Sequence, residues 1–282
     1  MDRISVIKIG GNVVDNPLLL EQFIHVFASF EGPRILVHGG GVMASQMQRQ
    51  LGYEPVMIDG RRVTDENTLK IVTMVYAGWC SKHIVALLQK YGCNAAGLSG
   101  ADADIIRASK RPPVHRTGPD GKDTVLDYGF AGDVDPSRIN TEFLTSLTDS
   151  GITPVICAIT HDGNGNLLNT NADTIASSIA VALASGERNA GPSSGREVRL
   201  IYCFEKDGVL YDKDDDSSVI PEITPDIYAG LKEEGRVAAG MIPKLDNAFK
   251  AIESGVSEVI IKHARNLGTD NGTVIRGKSR VD

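Results

Sequence analysis

Short runs of apolar, often β-branched residues alternate along the chain with longer segments in which apolar residues recur at helical spacing. Residues 4–9 and 35–38 are predicted strands, and each is followed by glycines and then by a helical segment. Residues 65–91 form a predicted helix that Gly92 ends. Its apolar face consists of Leu69, Val72, Tyr76, Trp79, Ile84 and Leu88. This alternation is typical of βαβ units, in which helices cover both faces of a mainly parallel sheet.

The second half of the chain continues the alternation. Asn171 is the predicted N-cap of a helix that ends near Gly186, and its apolar stripe consists of Ile175, Ile179 and Leu183. Further strands are predicted at 152–159, 198–204, 258–262 and 273–276, and further helices at 225–234 and 243–253. The Pro- and Gly-containing segments predict a hairpin or flap at 112–127 and a polar loop at 186–197.

Length, charge and composition exclude several classes of protein that this pattern alone would allow. A chain of 282 residues favours two domains or two closely packed lobes, at about 100–200 residues per domain. Lysine and arginine number 29 against 36 aspartates and glutamates, a net charge of −7, so nucleic-acid binding is not expected. Lys8 interrupts the apolar N-terminal stretch, which excludes a signal peptide, and no segment approaches the run of about 18 apolar residues that spans a membrane. The protein is therefore expected to be cytoplasmic. Buried, reduced thiols are predicted at Cys80, Cys93, Cys157 and Cys203.

Two glycine turns follow the first two predicted strands. K-I-G-G (8–11) places bare backbone N–H groups beside a lysine, so a phosphate can approach without meeting a Cβ atom. H-G-G-G (38–41) places such groups at a helix N-terminus, where an anion is stabilised. Neither segment matches the two standard nucleotide-binding fingerprints. Each also fits an ordinary strand-to-helix turn, with His38 as a buried histidine.

Three further segments contain groups suited to binding a carboxylate or a phosphate. G-R-R-V-T-D (60–65) contains two arginines, whose planar guanidinium groups bind carboxylates but which are also common on solvated loops. N-T-N-A-D (169–173) opens a helix, and capping explains its second asparagine and its aspartate but not Asn169. G-M-I-P-K (240–244) opens another helix with a proline that fixes the direction of Lys244, although a lone lysine there equally fits the surface.

The order of these segments resembles that of the acetylglutamate kinases, which belong to the amino acid kinase family. The resemblance includes G-L-S-G-A-D-A-D (97–104) and G-F-A-G-D-V-D (129–135) and extends over nearly the whole chain. It implies an α/β protein, a three-layer α/β/α sandwich around an open, mainly parallel, eight-stranded sheet. The boundary between the lobes falls near 160–175. Residues 1–165 would bind the acylglutamate and form a homodimer, and residues 166–282 would bind ATP.

The resemblance also implies roles for particular residues. Those that would hold the transferred phosphoryl group are Lys8 and Lys244, with Asp173 positioning both lysines. Those that would bind the acylglutamate are Gly40, Gly41, Arg62 and Asn169. Those that would bind ATP are Gly10, Gly11, Glu205, Gly208 and Leu210. The Glu205-Lys206 pair departs from the aspartate-valine pair of many relatives, which changes the nucleotide contacts expected there but not the activity.

The implied chemistry needs no general base, because a γ-carboxylate with an ordinary pKa of about 4.3 is already ionised at neutral pH. The barrier is electrostatic, and the two lysines, backbone N–H groups and Mg²⁺ would lower it. The sequence offers no evident metal ligand set. Asp212 and the aspartates at 214–216 fit a solvated loop, so Mg²⁺ is expected on the phosphate oxygens of ATP and on water.

N-acetyl-L-glutamate is the expected acceptor, in the second step toward ornithine and arginine. Three alternatives stay open: the same reaction on N-succinyl-L-glutamate, a family member acting on another carboxylate or on carbamate, and a catalytically silent metabolite-binding relative. Intact Lys8, Asp173 and Lys244 argue against the last. Because only three residues precede the first predicted strand, we expect a dimer rather than a ring of six, and little inhibition by arginine. The helix at 65–91, with Trp79, is predicted to form part of the dimer interface.

Overall fold

A computed structural model describes residues 3–117, 123–189, 196–212, 214–236 and 241–277 of the protein. In chain order, the strands are β1 (Arg3–Ile9), β2 (Arg34–His38), β3 (Met57–Ile58), β4 (Arg61–Arg62), β5 (Ala95–Leu98), β6 (Ile106–Lys110), β7 (Val114–Thr117), β8 (Asp123–Leu126), β9 (Ala131–Ile139), β10 (Thr153–Cys157), β11 (Ile159–His161), β12 (Leu167–Thr170), β13 (Glu197–Phe204), β14 (Glu222–Ile223), β15 (Glu258–His263) and β16 (Thr273–Ile275). The α-helices are α1 (Gly11–Asp15), α2 (Pro17–Ala28), α3 (Gly41–Gln50), α4 (Glu66–Thr73), α5 (Ser81–Lys90), α6 (Thr141–Asp149), α7 (Ala172–Asn189), α8 (Pro225–Glu233) and α9 (Ile242–Glu253).

Eight of these strands form the central sheet, in the order β14-β16-β15-β13-β1-β2-β10-β5. Six of them run parallel, and β14 and β16 at one edge run in the opposite direction. β1 and β10 are buried at nearly every position, as strands covered on both faces must be. The predicted open, mainly parallel, eight-stranded sheet is confirmed.

Helices form a layer on each side of this sheet. α7 packs against β1 and β13 with α6 and α9 beside it, whereas α2 and α5 pack together in the other layer. The predicted apolar stripe of α7 is buried, and α7 continues to Asn189, beyond the predicted end near Gly186. Residues 190–195 of the predicted polar loop lie outside the described residues. The four cysteines are buried and unpaired, as predicted.

The helix predicted at 65–91 is interrupted. Between α4 and α5, Met74–Cys80 form a π-helical turn, in which hydrogen bonds join residues five apart. The wider turn rotates the chain, so Tyr76 and Cys80 face the core whereas Trp79 is 62% exposed. The predicted apolar face is correct at the buried residues Val72, Tyr76, Ile84 and Leu88, and wrong at Trp79.

The same helical run has a second property that the sequence analysis missed. Glu66–Lys90 is long and apolar enough, by length and composition alone, to cross a membrane, although polar residues interrupt it and it contains no continuous run of about 18 apolar residues. In the fold, 44% of its most apolar window is buried. This burial is typical of a helix that packs on the core of a globular domain.

A closed barrel of four strands, β6, β9, β11 and β12, lies outside the main sheet. The sequence analysis did not predict it. The predicted strand 152–159 is split into β10 and β11 by a bend at Ala158. The sequence analysis missed this bend because both strands are apolar and no glycine or polar residue marks it. The hairpin predicted within 112–127 is confirmed as β7 and β8, and β3 and β4 form a second hairpin.

The strand order changes direction at β1. The chain proceeds from β1 to β2 on one side, and β13 later occupies the other side of β1. In open α/β sheets, ligands bind outside the carboxyl ends of the strands at such a point. Lys8 lies at that end of β1, so the topology itself predicts a binding site there.

Candidate active site

Two adjoining cavities lie at the carboxyl ends of β1, β2 and β13. The larger cavity has a volume of about 460 Å³, and its lining includes Lys8, Gly10, Gly11, Phe204 and Glu205. The smaller cavity has a volume of about 160 Å³ and reaches Asn169. The glycine turn 39–41 and Arg62 line both. This arrangement can hold two ligands side by side, with a glycine turn and a guanidinium group at their junction.

One aspartate joins two lysines beside the larger cavity. Asp173 Oδ1 lies 2.6 Å from Lys8 Nζ, and Asp173 Oδ2 accepts a hydrogen bond of 2.9 Å from Lys244 Nζ. The three residues come from β1, α7 and α9, so the fold brings together groups up to 236 positions apart in sequence. The resemblance predicted this grouping. Gly240 of the same segment lies outside the described residues.

Local structure fixes where Asp173 points. Asn171 Oδ1 accepts hydrogen bonds from the backbone N–H groups of Asp173, at 2.8 Å, and Thr174, at 3.1 Å. Asn171 is therefore the N-cap of α7, as predicted, and Asp173 is held in the first helical turn. Burial would raise the pKa of Asp173, but the positive charges of Lys8 and Lys244 outweigh burial and hold it at about 2. The carboxylate is therefore ionised at neutral pH and pairs with one ammonium group on each oxygen.

Gly40 must be a glycine, whereas Gly10 and Gly11 have room for a Cβ atom. A Cβ atom on Gly40 would lie 2.9 Å from both Cys80 Sγ and Tyr76 Cδ1, so no side chain fits. Gly10 N–H donates to Cys203 O, at 3.0 Å, and fixes the first turn. A Cβ atom on Gly11 would lie 3.9 Å from Gly41 N, so the two turns are close neighbours. Bare backbone N–H groups at such turns bind anionic oxygens.

Arg62 is buried rather than solvated, and its guanidinium group is held from three sides. Its Nη2 donates to Gly41 O and Ser45 Oγ, each at 2.8 Å, and its Nη1 donates to Gln48 Oε1. Gln48 Nε2 in turn donates to Thr68 Oγ1 at 3.0 Å. Among the described residues no carboxylate lies within ion-pair distance of Arg62. A fixed cation without a protein counter-charge suits the binding of a ligand carboxylate.

Asn169 completes the smaller cavity from the barrel. It lies on β12, and its Nδ2 donates to Thr64 Oγ1 at 3.0 Å. Thr64 is also fixed by its neighbours, because its Oγ1 donates to Arg62 O at 2.9 Å. The contact connects the 60–65 loop to the barrel, and the side chain that helix capping could not explain lies at the edge of a cavity.

The three expected ATP-binding residues of the 205–210 segment separate into two groups. Glu205 lines the larger cavity and accepts a hydrogen bond of 2.5 Å from Asn12 Nδ2. Gly208 and Leu210 line neither cavity. A Cβ atom on Gly208 would lie 2.6 Å from Thr273 Oγ1, so this glycine permits close packing of the loop against β16. The described part of the chain holds no cluster of three His, Cys, Asp or Glu side chains arranged for a metal ion.

His38 and Cys80 lie close to the glycine turn but are not poised for proton transfer. Burial lowers the pKa of His38 to about 4, and its Nδ1 lies 2.8 Å from Gly39 O. Burial also raises the pKa of the Cys80 thiol to about 12. Both side chains are therefore neutral at physiological pH, and they support the turn.

Several residues of the site carried no signal in the sequence. Gln48 is one of five polar residues along α3, and its contact with Arg62 joins two separate elements. Tyr76 was predicted on the buried face of its helix, but its contact with Gly40 joins two separate elements and carried no signal. Phe204 ends an apolar strand and has the pattern of a core residue, yet it lines the larger cavity.

Comparisons with known proteins identify the family. The sequence profile of the amino acid kinase family matches residues 3–263. A protein from Cytophaga hutchinsonii named acetylglutamate kinase is 51% identical over 267 residues, which are 95% of this chain and 94% of that protein. A protein of the same name from Phocaeicola vulgatus is 48% identical over 275 residues, 98% of this chain and 99% of that protein.

Solved structures share the fold. The crystal structure of smu.665 from Streptococcus mutans matches with a TM-score of 0.73 and 25% sequence identity, covering 98% of this chain and 99% of that one. The three-layer architecture and the order of the sequence segments therefore agree with the profile match. From the fold, the full-length relatives and the profile together, the chain belongs to the amino acid kinase family.

Proposed function

We propose that the protein transfers the γ-phosphoryl group of ATP to the γ-carboxylate of N-acetyl-L-glutamate, as an acetylglutamate kinase does. The observation that carries this function is the pair of lysines joined by Asp173 beside two adjoining cavities. The relatives from C. hutchinsonii and P. vulgatus carry that activity in their names, which favours the acetyl over the succinyl substrate. Intact lysines and an ionised aspartate argue against a silent relative.

In this proposal the two cavities divide the substrates. N-acetyl-L-glutamate binds in the smaller cavity, where Arg62 and Asn169 contact its carboxylate groups and the amides of Gly40 and Gly41 face the reacting end. ATP binds in the larger cavity with its phosphates at Gly10 and Gly11. The lack of Cβ atoms at Gly10 and Gly11 supports this placement, because it lets a phosphate approach the backbone closely.

The chain's own residues then act on charge and alignment. The ionised acceptor oxygen attacks the γ-phosphorus, a C–O–P bond forms, and the bond to the β,γ-bridging oxygen breaks to release ADP. No residue has to remove a proton, because the carboxylate has an ordinary pKa of about 4.3. Lys8 and Lys244 stabilise negative charge on the transferred group, and Asp173 holds the two ammonium groups beside each other.

ATP and Mg²⁺ fit the residues present. The larger cavity offers one lysine, glycine amides and the Glu205 carboxylate, which are suited to phosphates and to a cation bound on them. When bound, Mg²⁺ supplies neutralisation of phosphate charge. Gly208 and Leu210 keep their proposed role on the nucleotide side through the loop that follows Glu205, with Gly208 fixing its packing.

The lobes and the assembly follow from the same proposal. Residues 1–165 form the acylglutamate-binding and dimer-forming lobe, and residues 166–282 form the ATP-binding lobe of a cytoplasmic homodimer. Met74 and Trp79 are 59% and 62% exposed on the helical run Glu66–Lys90. Two large exposed apolar side chains on one helical run suit an interface, and a two-fold axis brings identical patches together.

Light scattering tests the dimer. We expect a dimer for the wild type and a monomer for Trp79→Glu. Leu18→Glu on α2 is the control, because Leu18 is an apolar side chain that is 75% exposed on another helix, and this variant should stay dimeric. A monomeric wild type would refute the dimer, and a dimeric Trp79→Glu would place the interface elsewhere.

An ADP-release assay with alternative acceptors tests the function. The acceptors are N-acetyl-L-glutamate, N-succinyl-L-glutamate, L-glutamate, L-aspartate and carbamate. We expect the acetyl compound to give the highest kcat/KM, with Lys8→Ala inactive and Lys206→Ala active, because Lys206 is exposed and pairs with Asp216. A preference for another acceptor would refute the substrate assignment, and no turnover with any acceptor would favour the silent relative.

A further inference from the structure

The ring of Phe204 lies against both lysines of the site. Its centroid is 3.9 Å from Lys244 Nζ and 4.9 Å from Lys8 Nζ, and its edge lines the larger cavity. Both distances are within the roughly 6 Å over which a cation is attracted to an aromatic face. Asp173 and Phe204 therefore contact the same two ammonium groups, one as a carboxylate and the other as a neutral ring.

The two contacts differ in what they do to the lysine charge. Asp173 offers one negative charge to two lysines, which leaves a net positive charge for an anionic ligand. A second carboxylate in place of Phe204 would cancel that charge, and a hydroxyl would occupy an N–H donor. A ring face attracts the cation through its quadrupole and leaves charge and donors free for phosphate oxygens.

The ring is itself held in place. Tyr202 and Phe204 lie on the same face of β13, two residues apart, and their rings stack with centroids 6.0 Å apart and planes within 11°. Tyr202 Oη donates to the backbone carbonyl of Asp173 at 3.2 Å. On the other side, a Cβ atom on Gly10 would lie 3.4 Å from Phe204 Cδ1. Phe204 is thus fixed relative to Asp173 and to the first glycine turn.

We propose that Phe204 is a positioning residue for phosphoryl transfer, which acts through cation–π contacts that hold the ammonium groups of Lys8 and Lys244 in line while leaving their charge available. This inference rests on the proposed function and adds to it a residue that the family resemblance did not supply. Because the lysines act on charge that develops in the transition state, loosening them affects kcat more than the KM for either substrate.

Substitutions at Phe204 separate the effect of the aromatic π face from the effect of side-chain size. We expect Phe204→Leu to lower kcat about tenfold, the scale of one or two partly desolvated cation–π contacts, with each KM within about twofold. Phe204→Tyr, which keeps the π face, should retain most of kcat. The matched control is Tyr91→Leu, which removes a ring 5.1 Å from Lys90 Nζ outside both cavities and should leave kcat unchanged.

A series of phenylalanine analogues with one, two or three ring fluorines at position 204 tests the electrostatic origin, because fluorine weakens the quadrupole while nearly preserving shape. We expect log kcat to fall with each fluorine. A flat series, or full kcat in Phe204→Leu, would overturn the inference.

A stability measurement without substrate tests the contact between Phe204 and Lys244 separately from the proposed function. In a double-mutant cycle of Phe204→Leu and Lys244→Met, measured by urea unfolding, we expect the two substitutions to be non-additive. Additive effects would overturn the contact. A wild type that does not phosphorylate N-acetyl-L-glutamate would refute the proposed function, and with it the catalytic part of this inference, whereas the unfolding cycle would still decide whether the ring holds the lysine.

Discussion

Replacing Asp173 by asparagine removes one charge from the centre of the site while preserving the size of the side chain. The lysines lower the pKa of this carboxyl from 3.8 to about 2 in spite of its burial. That difference corresponds to about 2 kcal/mol of folding stability at neutral pH. We therefore expect Asp173→Asn to lose at least this much, because Lys8, with only 9% of its side chain exposed, is also left without a counter-charge.

The sign of the pH dependence follows from the direction of the shift. A carboxyl whose pKa is lower in the folded state stabilises the fold above the unfolded pKa, and this stability is lost as the pH falls through the folded pKa. For Asp173 the window runs from about pH 4 to about pH 2. The carboxyl's contribution to the difference between wild type and variant should be complete at pH 7, fall to about half at pH 3, and nearly vanish at pH 2.

Urea unfolding of both proteins at pH 7, 4 and 3 measures this difference. Asp149→Asn, which neutralises an exposed carboxylate paired with Arg196, is the control and should change stability by less than about 1 kcal/mol. A difference below about 0.5 kcal/mol for Asp173→Asn at pH 7, or one that stays constant from pH 7 to pH 3, would refute the electrostatic reasoning. The variant should also lose most of its kcat.

Other substitutions separate the roles of neighbouring groups. Alanine at either lysine that contacts Asp173 should lower kcat by at least about a hundredfold with little change in the KM for acetylglutamate, measured by steady-state kinetics. Arg62→Ala should instead raise that KM by at least about tenfold, and an unchanged KM would remove Arg62 from substrate binding. Gln48→Leu should raise the same KM about threefold to tenfold, because the guanidinium group loses its buried acceptor. Gly129→Ala should destabilise the protein by more than about 2 kcal/mol in urea unfolding, since its Cβ would lie 2.2 Å from Thr64 O at a φ of +67°; near-native stability would show that this loop shifts freely.

Six strands of the main sheet could be predicted from their apolar runs, whereas the edge strands β5 and β14, which are only partly buried, were missed. Continuous apolar runs such as those of β1 and β13 end in glycines or polar residues, and this pattern survives without tertiary information. The barrel could not be predicted, because β6, β11 and β12 have five residues or fewer, and β6 is buried at alternate positions only. The π-helical turn could not be predicted from the sequence either, because no residue in Met74–Cys80 marks where the helical period widens.

The residues of the candidate site also fall into those that could be predicted from the sequence and those that could not. Lys8, Asp173 and Lys244 stand next to glycines, a cap or a proline, so their local segments were recognisable and the structure brings them together. Gln48 and Phe204 contact the site through tertiary packing alone, and their sequence neighbourhoods resemble an ordinary helix and an ordinary core strand. Residues that support functional groups leave a pattern in the sequence only when they also shape the local backbone.

Trapping the product tests the central claim most directly. An acyl phosphate reacts with hydroxylamine to give a hydroxamate, whereas a phosphate ester does not. With ATP, Mg²⁺ and N-acetyl-L-glutamate, we expect mass spectrometry to find the γ-hydroxamate of N-acetylglutamate in a one-to-one ratio with ADP. We expect neither product from Lys8→Ala. ADP without hydroxamate, or no ADP at all from the wild type, would contradict phosphorylation of the γ-carboxylate.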